Sequence, residues 1–93
     1  NTFTSTYVSV TSALDQAATD SSDDFLVYKV TFTLRNPYPG NKQPYTFKYT
    51  TMDGELVAGQ NYVPTYGTIT FPANSSDRAT QSITVNIYKN YYN

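Results

Sequence analysis

The stretch LVYKVTFTLR, residues 26–35, decides the fold, because apolar and polar side chains alternate along its whole length. Successive side chains of a β-strand point to opposite faces of a sheet, so this alternation predicts a strand with one buried face. The core-facing set is Leu26, Tyr28, Val30, Phe32 and Leu34, and the other face carries Val27, Lys29, Thr31, Thr33 and Arg35.

Other segments of the chain repeat the same alternation. Residues 45–50 predict a second half-buried strand, which we expect to form a hairpin with residues 26–35. Residues 68–71 and about 81–88 predict two more strands, and residues 8–11 predict one near the start of the chain. A sixth strand, only weakly indicated by the sequence, is predicted near Leu56. Clusters of Pro, Gly and Asn separate these segments and mark turns.

No segment of the sequence predicts a convincing helix, and residues 14–24 are expected to form a polar loop. Several short strands with regularly spaced turns are typical of a β-sandwich. We therefore predict a single domain over residues 1–93. Its fold class is all-β, an antiparallel immunoglobulin-like β-sandwich of six or so strands, open at one sheet position.

The composition excludes several kinds of chemistry. The sequence contains no cysteine and no histidine, so it lacks disulfides, thiolate metal sites and the commonest general base. A net charge of −1 with six Lys and Arg residues provides no basic face for nucleic acid, and no apolar stretch is long enough to span a membrane. Charged residues make up 14% of the chain, against about 25% in an average soluble domain. We expect an extracellular or cell-surface location.

Four segments follow one another in a recognisable order in the second half of the chain. They are YTTMDG at residues 49–54, AGQNY at 58–62, GTITF at 67–71 and SITVNI at 82–87. This series resembles the Calx-beta domain, a family that is similar to immunoglobulin-like sandwiches. The resemblance covers about half of the chain, since the first half agrees with the family only in strand order.

The resemblance implies a calcium site in the loops at one end of the domain. Asp53 matches the family's Asp-Gly aspartate, but Asn61 stands where the family has an aspartate, and Lys89 falls within the position of its acidic run. Calcium requires several carboxylate and carbonyl oxygens at once. We therefore expect no resident cofactor and at most a weak Ca²⁺ site. Its candidate ligands are Asp20, Asp23, Asp24 and Asp53.

The resemblance also implies an open position in one sheet. The family continues after the Ile/Val-rich strand into a final strand that pairs beside it, whereas the sequence here ends at Asn93. On that template we expect an acceptor groove at Ile83, Val85 and Ile87. An uncovered apolar groove with free backbone groups is a site where another strand can pair.

Residues 1–10 are the predicted donor strand for this groove. They favour an extended conformation throughout and contain no charge, no Gly and no Pro. The donor side chains are Phe3, Ser5, Tyr7, Val8 and Val10. Repeated head-to-tail donation is a heterologous contact that builds an open filament. The functional prediction is therefore an extracellular structural subunit of a fibre, pilus-like filament or surface layer, whose partners are other copies of itself.

Two other interpretations stay open. The chain could be a Calx-beta-like adhesion module or weak Ca²⁺-binding module of a larger surface protein, and exposed tyrosines such as Tyr38 and Tyr66 could stack on a carbohydrate. An enzyme is not expected, because acid–base chemistry would rest on Asp53 and Glu55 in a domain with little room for a deep cleft. A Lys–Asn isopeptide bond from Lys29, Lys48 or Lys89 and glycosylation at Asn74 also stay open.

Overall fold

The computed structural model describes residues 5–89, which form five β-strands and one short helix. In chain order the elements are β1 (Tyr7–Leu14), α1 (Gln16–Ser21), β2 (Phe25–Arg35), β3 (Tyr45–Thr50), β4 (Tyr66–Phe71) and β5 (Thr80–Tyr88). Neighbouring strands are antiparallel in every pair. The predicted all-β fold is confirmed, and the strands are divided between two open sheets.

The first sheet has the strand order β1-β2-β5, so the strand predicted from residues 26–35 lies at its centre. Phe32 is flanked by Val10 of β1 and Gln81 of β5. Because cross-strand partners share a face of the sheet, the core-facing set predicted for β2 fixes the faces of its neighbours as well. The resulting apolar face comprises Val8, Val10, Leu14, Leu26, Tyr28, Val30, Phe32, Leu34, Ile83, Val85 and Ile87.

In the described part of the chain the second sheet consists of β3 and β4, and it packs against the apolar face of the first. The core cluster joins Phe32 and Leu34 of β2 to Ile69 and Phe71 of β4, and Leu34 and Phe71 are completely buried. Burial of such a side chain stabilises the fold by about 1.5–3 kcal/mol. Phe47 of β3 packs edge-on against Phe71, with ring centroids 6.1 Å apart.

The expected hairpin between residues 26–35 and 45–50 is wrong, because β2 and β3 belong to different sheets. Residues 36–44 carry the chain from one sheet to the other, and they include three prolines and Asn36 at a positive φ of 57°. Each strand has only one apolar face. Placing the two strands in opposite sheets lets these faces bury one another, which a shared sheet would not do.

The expected loop over residues 14–24 contains a six-residue helix, α1. The Asp15 carboxylate caps it by accepting a hydrogen bond from the Ala18 N–H at 3.1 Å. The buried Thr19 hydroxyl accepts a bond from the Val27 N–H at 2.9 Å, which ties the helix to β2. The sequence did not reveal this helix because six residues are too few to show a 3.6-residue period. Within residues 5–89, no helix has the length and apolar character to cross a membrane.

Candidate strand-binding groove and sheet edges

An apolar groove of about 440 Å³ lies between the two sheets. The first sheet contributes Val8, Val10, Val30, Phe32, Ile83 and Val85, and the second sheet contributes Phe47, Lys48, Tyr49, Thr50 and Ile69. Most of the second group belongs to β3. The groove therefore runs under β3 and across all three strands of the first sheet.

Two residues on the apolar face of β1 remain exposed to solvent. Val10 is 57% exposed and Leu14 is 40% exposed, whereas Phe32 on the neighbouring strand is buried. Within residues 5–89 a sheet of two strands lies over a sheet of three, so the second sheet leaves the β1 side of the apolar face uncovered. The alternation of side chains identified this face correctly, but it carried no signal for how much of the face is covered.

The outer edge of β1 has backbone groups that point away from the molecule. The Asp15 N–H donates to the Val27 carbonyl at 2.8 Å, which shows that odd-numbered residues of this segment face β2. N–H and C=O groups alternate between the two sides of a strand. The groups of Val8, Val10, Ser12 and Leu14 therefore face outward.

The outer edge of β3 likewise pairs with no other strand of residues 5–89. The Thr51 N–H donates to the Thr65 carbonyl at 2.8 Å, so residues of this parity face β4. The backbone groups of Thr46, Lys48 and Thr50 consequently point away from β4. Lys48 and Thr50 also line the groove, which places this edge beside the apolar opening.

The outer edge of β5 is partly covered by the chain itself. The Val63 N–H donates to the Asn86 carbonyl at 2.9 Å, and the Tyr88 N–H donates to the Asn61 carbonyl at 2.8 Å. Tyr62 also forms an isolated bridge with Ile87. Of the predicted acceptor residues, Ile83 and Val85 line the groove, whereas Ile87 does not and instead pairs with Tyr62 of this covering segment. The segment 61–63 replaces the doubtful strand expected near Leu56.

The predicted donor residues fall in different places. Tyr7, Val8 and Val10 belong to β1 and pair with β2 of the same chain, and Ser5 is exposed before this strand. Phe3 lies outside the described residues. The part of residues 1–10 that the structure describes is thus an edge of the chain's own sheet.

Asp53 organises the loop that precedes the covering segment. Its carboxylate accepts bonds from the Tyr62 hydroxyl at 2.6 Å and from the Ala58 N–H at 2.9 Å. These two bonds hold the pKa of Asp53 below its ordinary value of 3.8, despite a smaller opposing effect of burial. The hydrogen bond to Asp53, aided by burial, raises the pKa of Tyr62 above its ordinary value of 10.0. Buried Tyr62 therefore packs against β5 with its hydroxyl anchored.

Lys89 occupies a cradle of backbone oxygens at the end of α1. Its Nζ donates to the Thr19 carbonyl at 3.0 Å and to the Ser22 carbonyl at 2.6 Å. A cation is favoured at the C-terminus of a helix, where carbonyl groups lack partners. Lys89 also lines a small surface pocket with Asp23 and Asp24. The sequence placed this lysine near the family's acidic run but gave no sign of its role as a tether.

The carboxylates predicted as weak calcium ligands do not form a metal cluster in the described structure. Within residues 5–89, no three Asp, Glu, His or Cys side chains are grouped so as to hold a metal ion. Asp20 accepts a bond from the Gln16 amide, and Asp53 is held by Tyr62. Glu55 is exposed in the same loop as Asp53, and Asn74 lies in a turn with a positive φ of 65°.

Comparison with known proteins gives no relative: no family model, curated protein or solved structure matches the chain. The resemblance to the Calx-beta domain therefore stays a prediction from the quoted segments.

Proposed function

We infer that this chain is an extracellular structural subunit that joins copies of itself into a fibre, pilus-like filament or surface layer by adding β-strands at open sheet positions. The observation that carries the proposal is the apolar groove of about 440 Å³ beside the free edge of β3. In this proposal the two sheets form an immunoglobulin-like sandwich that an intermolecular strand completes.

An extended segment suits this groove better than a compact ligand does. The outward backbone groups of Thr46, Lys48 and Thr50 offer a ladder of hydrogen bonds, and the apolar lining accepts every second side chain of the added strand. Main-chain bonds then supply affinity and the side-chain positions supply specificity. Covering Val10 and Leu14 removes apolar surface from water, which stabilises the assembly.

The proposed donor is residues 1–10 of a neighbouring copy. Tyr7, Val8 and Val10 pair with β2 in the isolated chain, so inserting them into another groove breaks that pairing. The burial gained in the groove has to exceed this loss. Adding the free outer edge of the same residues to a neighbouring sheet requires no such loss.

The test is whether the chain polymerises and where the donor binds. We expect filaments or layers by negative-stain microscopy, and a synthetic peptide of residues 1–10 should slow amide exchange at Thr46, Lys48 and Thr50. The control peptide carries Asp in place of Val8 and Val10. The proposal would be refuted if the chain stays a discrete monomer at high concentration and the peptide leaves its amide exchange unchanged.

A second candidate function is adhesion by a module of a larger surface protein. Tyr66 is 78% exposed, Tyr38 is 51% exposed and Met52 is 83% exposed, so these large side chains are accessible to a ligand. Exposed aromatic rings can stack on sugars or pack at protein interfaces. Binding to a carbohydrate array that is lost in Tyr66→Ala would favour this function. A rise in melting temperature with millimolar Ca²⁺ would favour its calcium-binding form.

A further inference from the structure

The outer edge of β1 is the least protected sheet edge among residues 5–89. Its sequence YVSVTSAL contains no charge, no Pro and no Gly, and it pairs with β2 residue for residue without a bulge. Soluble proteins protect exposed edges with charges, prolines, bulges or a covering segment. β1 carries none of these features along its eight residues.

The other edges in the described structure differ in this respect. β3 places Lys48 in the middle of its outward groups, and β5 is covered at one end by the segment 61–63. β4 is shorter, with six residues, and Pro72 follows it directly. The comparison singles out β1.

β1 also exposes apolar surface on both of its faces. Tyr7 is 47% exposed on the outer face, and Val10 and Leu14 are 57% and 40% exposed on the inner face. Exposed apolar groups beside free backbone donors and acceptors are typical of a strand that pairs with another strand.

We propose that β1 is a homophilic interface, in which it pairs antiparallel with β1 of a second copy about a twofold axis. A register that pairs residues 8–14 of both copies places Val8 of one copy opposite Leu14 of the other, Val10 opposite Ser12, and Thr11 on the axis. Outward groups of both strands then form roughly eight hydrogen bonds. The contact is isologous, so no other partner is required.

The charges near β1 permit this pairing. Two basic residues of β2 pair with β1, Lys29 with Ala13 and Arg35 with Tyr7, and Arg35 forms an ion pair with Asp77 at 3.2 Å. The two copies of Lys29 would lie three strand spacings apart across the sheet, or about 14 Å, and about 13 Å apart along it, so their distance exceeds the screening length of about 8 Å at physiological salt. Pairing would also bring the open grooves of both copies to the axis, where their Val10 side chains lie close together.

Cysteine cross-linking tests the interface and its register, because the sequence contains no cysteine. In Thr11→Cys the two thiols would face each other with Cα atoms about 4.5 Å apart, a distance that suits a disulfide. In Ser9→Cys the thiols would be offset by four residues, or about 13 Å. Thr84→Cys is a control on the opposite edge of the sheet.

We expect Thr11→Cys to form a covalent dimer under mild oxidation, while Ser9→Cys and Thr84→Cys remain monomeric. The proposal is overturned if Thr11→Cys fails to cross-link, or if either control cross-links as fast. Sedimentation of the wild-type chain should show a species of twice 10.4 kDa that increases with concentration. Thr11→Lys should weaken the dimer by about five-fold or more, through like charges on the axis, and Thr84→Lys should not.

This interface shares with the proposed function the addition of strands between copies, but it requires no filament. Filaments together with an unreactive Thr11→Cys would leave the proposed function standing and refute the β1 pairing. A cross-linkable dimer without filaments would support the β1 pairing and refute the filament.

Discussion

Gly67 is the position where a single methyl group tests the packing of the second sheet. It lies in β4 opposite Tyr49 of β3, and a Cβ atom placed on it would be 2.8 Å from the Tyr49 Oη and 3.1 Å from the Cζ. Contacts between carbon atoms are optimal at about 3.5–4.0 Å. Gly67→Ala therefore requires the Tyr49 ring to move by about 0.5–1 Å.

The expected cost follows from what holds the Tyr49 ring. It packs against Phe32 with ring centroids 5.6 Å apart, so a shift disturbs a residue of the core cluster. Overpacking of this kind costs about 1–3 kcal/mol. Replacing Gly by Ala recovers about 0.4–1 kcal/mol by restricting the unfolded chain. We expect Gly67→Ala to lower the free energy of unfolding by about 1–2 kcal/mol.

Gly54 provides the matched control. No atom lies within 4 Å of the position that an added methyl group would occupy there, and the residue does not have a positive φ. Gly54→Ala should therefore be neutral or stabilise the protein by about 0.4–1 kcal/mol. Urea unfolding followed by circular dichroism and tyrosine fluorescence measures both variants, since the chain contains no tryptophan.

A double-mutant cycle isolates the contact between the two residues. In a Tyr49→Val background the ring is absent, so Gly67→Ala should be neutral or stabilising, and the two substitutions should be coupled by at least about 1 kcal/mol. An equal cost of Gly67→Ala in both backgrounds would show that the close approach to Tyr49 is not the cause. The same result would refute the packing explanation.

Three further predictions concern the core, the loop that Asp53 organises and the contact of Lys89 with α1. Leu34→Ala removes a completely buried side chain and should lower the free energy of unfolding by about 2–5 kcal/mol in urea titrations, whereas the exposed Leu14→Ala should cost much less. Folding lowers the pKa of Asp53, so its stabilising contribution is present above the unfolded value of 3.8 and is lost as pH falls through the lower folded value. Asp53→Asn should therefore flatten the decline of the urea unfolding midpoint below about pH 4. A midpoint that declines with pH as in the wild type would contradict this role. Lys89→Met removes both bonds to the carbonyls at the end of α1 and should lower the free energy of unfolding by about 1 kcal/mol. It should also speed amide exchange in the helix, whereas Lys29→Met on the exposed face should leave that exchange unchanged.

The sequence predicted the direction of side chains well, because direction depends on local alternation. Phe32 and Leu34 were expected to face the core, and both are buried. In the strand predicted over residues 68–71, Ile69 and Phe71 alternate with polar residues, and both belong to the core cluster. A strand with one apolar face has only one favourable orientation against a core, so period-2 alternation is sufficient to find it.

Backbone conformation at individual glycines was not predictable in the same way. The sequence allows a positive φ at Gly54 and Gly67, since glycine adopts it at no steric cost, but among the glycines positive φ occurs at Gly40 and Gly59. Gly67 lies within β4, where its role is to leave room for the Tyr49 ring. The missing side chain is needed for packing across strands, which neighbouring residues in the sequence do not reveal.

The least predictable feature was which strands lie next to one another in each sheet, and the candidate site depends on this arrangement. Val10 lies on the core-facing side of β1, yet it is 57% exposed, because within residues 5–89 the second sheet does not reach over β1. The sequence could suggest that an open position exists but placed it beside β5, whose edge is partly covered by residues 61–63. Side-chain alternation is a property of one strand, whereas coverage depends on how many strands each sheet contains. An apolar side chain on a core-facing surface, next to free backbone groups, gains stability only when another polypeptide segment covers it. The part of the fold that local pattern leaves undetermined is therefore the part on which both functional proposals rest.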